Sequence, residues 1–370
     1  MLPKFPGDSN DGAGAVIEQV RQLAGHLARP TVATRDRHRE WDETLFKALT
    51  VPGTFGGGLT AVQTAALLTA LGEGSQDPGL ALAVATHAVL VTVPLRTFGT
   101  EAQRSRYLPS IAAGDWIGGL SLLQTSGGPA VVTARAAGAD WVLSGALELV
   151  ALGPKAHHFL VVAEHSTGSR TAFLVDADTP GLFIEESTPA ALRTCPWGRV
   201  VFDDCQVPAD AVLAAVGAAA TSVEPLLAAL DWVFVSAAWL GILRALATDS
   251  LAASRTRALC GAHVLDSQSA RFTLADLAIQ NELVSGLLEK VAGQLDESAP
   301  TAYQDAASAR LFTAFAVRAV TEAAAELAGP AAADEGQLVD RAYRDARFFV
   351  SSGGGSEVLR PVIAASILED

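Results

Sequence analysis

Between Trp141 and Asp204 apolar residues come in short bursts: WVLSGALEL (Trp141–Leu149), HFLVVA (His158–Ala163), TAFLVD (Thr171–Asp176), GLFIEE (Gly181–Glu186) and RVVFDD (Arg199–Asp204). Each burst is rich in β-branched residues and bounded by turn formers, which predicts strands gathered in one compact β domain. On either side the period lengthens to that of a helix. Before the strands, Ala15–Ala28, Leu67–Leu71 and Ala81–Leu95 read as helices, with breaks at Gly53–Gly58 and Gly72–Gly79 and a fresh start after the N-cap Thr100. After them, Leu277, Val284, Leu288, Val291 and Leu295 step by seven, four, three and four, as one face of a helix does. Glu297–Pro300 interrupts that helix, and Ala306–Ala328 continues as another. The expectation is an α+β chain, mainly α: an N-terminal helical domain over 1–118, a middle β domain over 119–214 and a C-terminal helical bundle over 215–370.

Composition narrows the classes. Of 370 residues half are apolar and 18% are charged, as in a globular protein. The net charge of −14 disfavours a nucleic-acid or anionic-membrane surface, which needs clustered Lys and Arg. Cys195, Cys205 and Cys260 have the spacing of neither a disulfide framework nor a zinc site, so a reducing, cytoplasmic setting is expected. Met1–Asn10 is polar and lacks the pattern of a signal peptide. Leu226–Leu243 is long and greasy enough to suggest a membrane span, but Asp231 sits near its middle, which predicts a buried central helix instead.

Candidate chemistry is sparse. The run Ser351-Ser352-Gly353-Gly354-Gly355 lacks the Lys and Ser/Thr of a P-loop and the spacing of a dinucleotide fingerprint. His157 and His158 are adjacent and point to different sides of any regular element, so they do not form a chelating pair, and no metal site is expected. His87 reads as a core histidine. Arg255, Arg257 and the YRDAR run at Tyr343–Arg347 read as surface charge or structural ion pairs.

Five stretches, in order, resemble the acyl-CoA dehydrogenase family: Gly99–Leu122, Arg199–Leu213, Ala237–Leu246, Leu265–Leu277, and YRDAR followed by SEVLR (Ser356–Arg360). The resemblance implies a helical N-terminal domain, a middle β-barrel and a C-terminal four-helix bundle. It also implies dimers or tetramers that bind FAD across a subunit interface. In that family a glutamate removes the α-proton of an acyl thioester while hydride leaves the β-carbon for the flavin. Counting from YRDAR, the glutamate's place is Gly353, and glycine cannot take a proton. Other members carry the base on a bundle helix, at the position of Asp231, followed here by Trp232. The family's flavin-contacting segment corresponds to Gln124-Thr125-Ser126-Gly127-Gly128-Pro129, which keeps Thr125 and Ser126 as candidates. Its ring-packing tripeptide corresponds to Leu149-Val150-Ala151, without an aromatic platform. Arg257 and Gln268 match residues that reach a partner's FAD. A further partner-facing motif survives as Gly329 in Glu326-Leu327-Ala328-Gly329-Pro330.

The resemblance supports three expectations. The first is a subunit of a heteromeric, FAD-dependent acyl-CoA dehydrogenase, of the kind that acts on steroid side chains, that lacks the base and lends FAD contacts to a homologous partner. The second is a self-sufficient flavin enzyme that uses Asp231. The third is a flavin-free lyase, isomerase or binding protein on the same fold.

Overall fold

The computed structural model describes residues 1–8, 12–50, 58–259 and 261–368. Most of the break predicted at Gly53–Gly58, and Cys260, lie outside the described residues.

Seven helices open the chain: α1 (Ala13–Leu27), α2 (Val32–His38), α3 (Glu43–Thr50), α4 (Ala61–Ser75), α5 (Pro78–Ala85), α6 (Thr92–Phe98) and α7 (Glu101–Ala112). Their starts follow local chemistry. Thr60 and Thr100 form capping boxes with Gln63 and Gln103, and Asp77 caps α5 with Pro78 in its first turn. A π-helical turn, Thr86–Val91, joins α5 to α6.

The β domain holds β1 (Gly118–Ser121), β2 (Val132–Ala137), β3 (Asp140–Ala151), β4 (His158–Glu164), β5 (Arg170–Asp176), β6 (Leu182–Ser187), β7 (Trp197–Val207) and β8 (Val212–Leu213). The order is β6-β7-β3-β1-β4-β5-β8, and β2 pairs with both β3 and β4, so the sheet curls on itself. Leu143, Leu147, Phe159, Phe173, Val200 and Phe202 fill its interior as a core separate from that of the helices.

The C-terminal part holds α8 (Val223–Leu230), a second π turn (Asp231–Val235), α9 (Ser236–Thr256), a small hairpin of β9 (Ala258–Leu259) and β10 (Ala262–His263), α10 (Gln268–Glu297), α11 (Ala302–Ala328), α12 (Leu338–Ser351) and α13 (Gly355–Leu368). Every residue from Leu226 to Leu243 is buried, so the greasy stretch is the centre of the helical core. The predicted stripe Leu277, Val284, Leu288, Val291 and Leu295 is buried as well. Two helical runs, Pro78–Phe98 and Val223–Thr256, are long and apolar enough to cross a membrane, and both are enclosed by the fold.

The N-terminal helices and the bundle meet where α4 crosses α9. A side chain at Gly72 would overlap the Ala238 carbonyl, and one at Gly241 would overlap the Thr69 carbonyl. Thr69 Oγ1 donates to Ala237 O at 3.0 Å across the same contact. The YRDAR run is a buried clamp: Arg344 grips Asp36 with two bonds of 2.8 and 2.6 Å and Asp345 with one of 2.9 Å. Asp345 also accepts from Leu192 N at 2.9 Å, and Arg341 donates to Gln76 O at 2.9 Å. These bonds tie α12 to α2, to the end of α4 and to the β6–β7 connection.

His87 and His158 are fully buried between the N-terminal helices and β1 and β4. His87 Nδ1 accepts from Gly118 N at 3.2 Å, and among the described residues neither nitrogen of His158 has a hydrogen-bond partner. Burial is the main cause that lowers His87 to about 4 and His158 to about 3 from 6.5. The unfolded chain therefore binds more protons than the native one below 6.5, and stability falls as pH drops through that value. Each imidazole should remove roughly 2 kcal/mol by about pH 5. Thermal melts across this range should show the decline, and His158→Phe should flatten it; an unchanged slope in the variant would refute the assignment.

Candidate functional site

Asp231 opens the π turn between α8 and α9, and a π turn displaces one side chain from the regular helical ladder. The carboxyl group is only 3% exposed. Its neighbours come from three distant segments. Thr125 arrives from the short 3-10 turn after β1, Arg310 from α11, and Gly353 from the α12–α13 turn.

Thr125 Oγ1 stands 2.9 Å from Leu122 O and 3.1 Å from Asp231 Oδ2. A hydroxyl has one proton to give, so both contacts are hydrogen bonds at once only when Asp231 carries its own proton. Burial, the largest influence, raises the Asp231 pKa, against the lowering effects of Arg310 and Thr125. Burial thus disfavours the charged form of this carboxyl within the core.

Arg310 is the buried cation of this cluster. Its Nη2 donates to Phe349 O (2.9 Å), Ser352 O (3.2 Å) and Ser352 Oγ (3.0 Å), and its guanidinium stacks 3.6 Å from the Phe349 ring centre. Burial pulls its pKa down to about 10, with Asp231 acting in the opposite direction.

Gly353 closes the cluster. Its φ of +67° lies in the left-handed region. A Cβ there would come within 2.8 Å of Asp231 Oδ2 and 3.1 Å of Arg310 Nε and Nη2. Trp232 Nε1 donates to Gly353 O at 2.8 Å and fixes the turn from beneath. The structure therefore brings Gly353 and Asp231, the two positions at which the resemblance places a base, to one point. The space beyond Gly353 is filled by the chain's own acid and guanidinium.

The flavin-side candidates lie close by. Thr125 is fully buried with its hydroxyl turned to Leu122 and Asp231, and Ser126 is half-buried. Leu149 is in the left-handed region (φ 49°), and Val150 and Ala151 offer no polar side chain. Gln124, in the same segment as Thr125 and Ser126, donates to Leu160 O at 3.1 Å and accepts from Val162 N at 2.6 Å.

The partner-facing candidates sit elsewhere, at a cleft of about 490 Å³ between the α9–α10 connection and the end of α11. Arg257 Nη1 donates to Leu327 O at 2.7 Å, and the guanidinium lies against Gly329, where any side chain would overlap it. Gly329 has φ +60°. Gln268 begins α10 and is exposed beside the cleft, whose wall includes Ser267 and Ser269. Glu326 and Asp266 share the wall, so the cleft's charge is mixed. This outer cleft holds an arginine fork of the kind suited to a pyrophosphate.

Sequence reasoning missed Arg310. Its signal was a lone cation flanked by Ala306, Ala307, Ala309, Thr313 and Ala314, all on the buried side of an alanine-rich helix. A charge on that face demands a buried partner.

Comparison with known proteins matches all three parts of the chain to one family. The N-terminal domain of acyl-CoA dehydrogenases matches residues 12–115, the middle domain 125–205 and the C-terminal domain 233–368. The chain belongs to the acyl-CoA dehydrogenase family. It is 28% identical to the mitochondrial short-chain specific acyl-CoA dehydrogenase of Bos taurus, covering 87% of this chain and 80% of that protein. It is 27% identical to an L-prolyl-[peptidyl-carrier protein] dehydrogenase of a Serratia species, covering 77% of this chain and 76% of that one. Butyryl-CoA dehydrogenase of Megasphaera elsdenii superposes with a TM-score of 0.89 at 26% identity, covering 98% and 99% of the two chains. The FAD complex of PigA shares the fold (TM-score 0.89, 22% identity, 97% and 98% covered).

If Gly353 is glycine because its space is occupied, Gly353→Ala should destabilise the protein by roughly 2–4 kcal/mol, the sum of left-handed strain and overlap. Gly355 is also left-handed (φ 56°), but nothing lies within 4 Å of its added Cβ. Gly355→Ala should cost only about 1 kcal/mol. Equal losses in denaturant melts would show that turn geometry alone selects glycine at 353.

Proposed function

We propose that this chain is a subunit of an FAD-dependent acyl-CoA dehydrogenase that lends cofactor contacts to a homologous partner and does not itself abstract the α-proton. The observation that carries the reading is the filled space at Gly353. A base must reach the α-carbon of a bound thioester; here the carboxyl at that point is buried, in contact with Thr125, and its pKa is raised by burial. Geometry of this kind suits a structural acid rather than a general base.

The outer face supports the other half of the reading. FAD, when bound, would supply the hydride acceptor for the β-carbon. Arg257 would hold a pyrophosphate oxygen pair, with its reach set by the bond to Leu327 O and by the absence of a side chain at Gly329. Gln268, exposed at the start of α10, would add a hydrogen bond from its side-chain amide. The partner would provide the carboxylate and the thioester pocket. We place the pair in the cytoplasm and its substrate among acyl thioesters, with a steroid side chain as one candidate acyl group. The carrier-bound prolyl thioester of the Serratia relative widens the thioester class beyond CoA.

The test is co-expression with a dehydrogenase-like chain encoded beside it. The two should copurify with a flavin absorbance near roughly 450 nm, and Arg257→Ala should release FAD from the pair by tenfold or more in affinity, about 1.4 kcal/mol or above. A colourless pair, failure to copurify, or turnover of an acyl-CoA series by this chain alone would reject the reading.

A further inference from the structure

The chain carries a reversal of its own charge at one place. A cleft of about 400 Å³ lies where the end of α2, the β3–β4 connection and the β6–β7 connection meet. Arg39, Lys155 and Arg193 face it with His38, against one carboxylate, Glu186. On a molecule of net charge −14, three fixed cations converging on one cleft set a local positive field.

Two of these cations are held in position by the backbone. Arg39 ends α2 in the left-handed conformation (φ 55°), and its Nη1 donates to Pro189 O at 2.6 Å. Arg193 Nε donates to Ala190 O at 3.1 Å. Asp36 and Asp345 are both bonded by Arg344, and Asp36 also pairs with Arg193 Nη1 at 4.0 Å. Burial lowers the Arg39 pKa, with like charge from Arg193 and Arg344 acting in the same direction and Asp36 opposing. Lys155 makes no ion pair among the described residues.

We propose that this cleft binds a phosphate monoester carried on a small organic body. Guanidinium forks and an ammonium suit a tetrahedral dianion. The cleft is several times larger than a bare phosphate needs, and Trp41, Pro154 and Pro196 provide apolar wall for an attached group. The site is distinct from the Asp231 cluster and from the Arg257 cleft, and it does not rest on the function proposed above.

The test uses the full chain, with phenyl phosphate, inorganic phosphate and phenol as probes, read by calorimetry and by tryptophan fluorescence. Phenyl phosphate should bind saturably and more tightly than inorganic phosphate, and phenol should not bind. Lys155→Glu should weaken phenyl phosphate roughly tenfold or more while leaving the ligand-free melting temperature unchanged. Arg257→Ala, at the separate cleft, should leave binding intact. Absence of binding, equal binding by phenol, or an affinity unmoved by Lys155→Glu would overturn the site. Inorganic phosphate binding as tightly as phenyl phosphate would overturn the organic body and leave a free-phosphate site.

Discussion

A carboxyl group and a guanidinium can be buried in one helical seam only if each finds hydrogen-bond partners, because an uncompensated buried charge costs several kcal/mol. Asp231 and Arg310 Nη2 find theirs in distant segments, while Arg310 Nη1 has no hydrogen-bond partner among the described residues. Thr125 comes from the edge of the β domain, the Phe349 and Ser352 oxygens from the end of α12, and the Phe349 ring from the same helix. Domain arrangement and local chemistry are thereby linked. The β domain, α9, α11 and the α12–α13 turn must sit where they do for the pair to be satisfied.

The same seam explains the glycines. Gly353 is left-handed, and its missing side chain makes room for the acid and the arginine. Trp232 holds its carbonyl in place. A side chain at 353 would need open space; here that space is taken by Asp231 and Arg310, and residues packed this closely are stable only as a set.

Much of the architecture could be read from the sequence. The change from helical to alternating period located the β domain, and the stripe from Leu277 to Leu295 is buried on the predicted face. Asp231 in the greasy run marked a core acid. Other features had no local signal. The YRDAR run read as surface charge or structural ion pairs, and Arg344 does pair with Asp36 and Asp345, but nothing local showed that this clamp reaches α2 and the β6–β7 connection. Arg310 lay within an alanine-rich helix whose period revealed a face but not its partner. Such pairings join residues far apart in the chain, and no short-range pattern encodes them. The positive cleft around Arg39, Lys155 and Arg193 is of the same kind, since its cations come from three separate segments.

The central claim is that this chain cannot take a proton from the α-carbon of a thioester. Exchange of the α-hydrogens of butyryl-CoA in heavy water, followed by mass spectrometry with the purified chain and added FAD, measures that step without requiring electron transfer. The account predicts exchange at the buffer rate. Protein-dependent exchange that disappears in Asp231→Asn would contradict it.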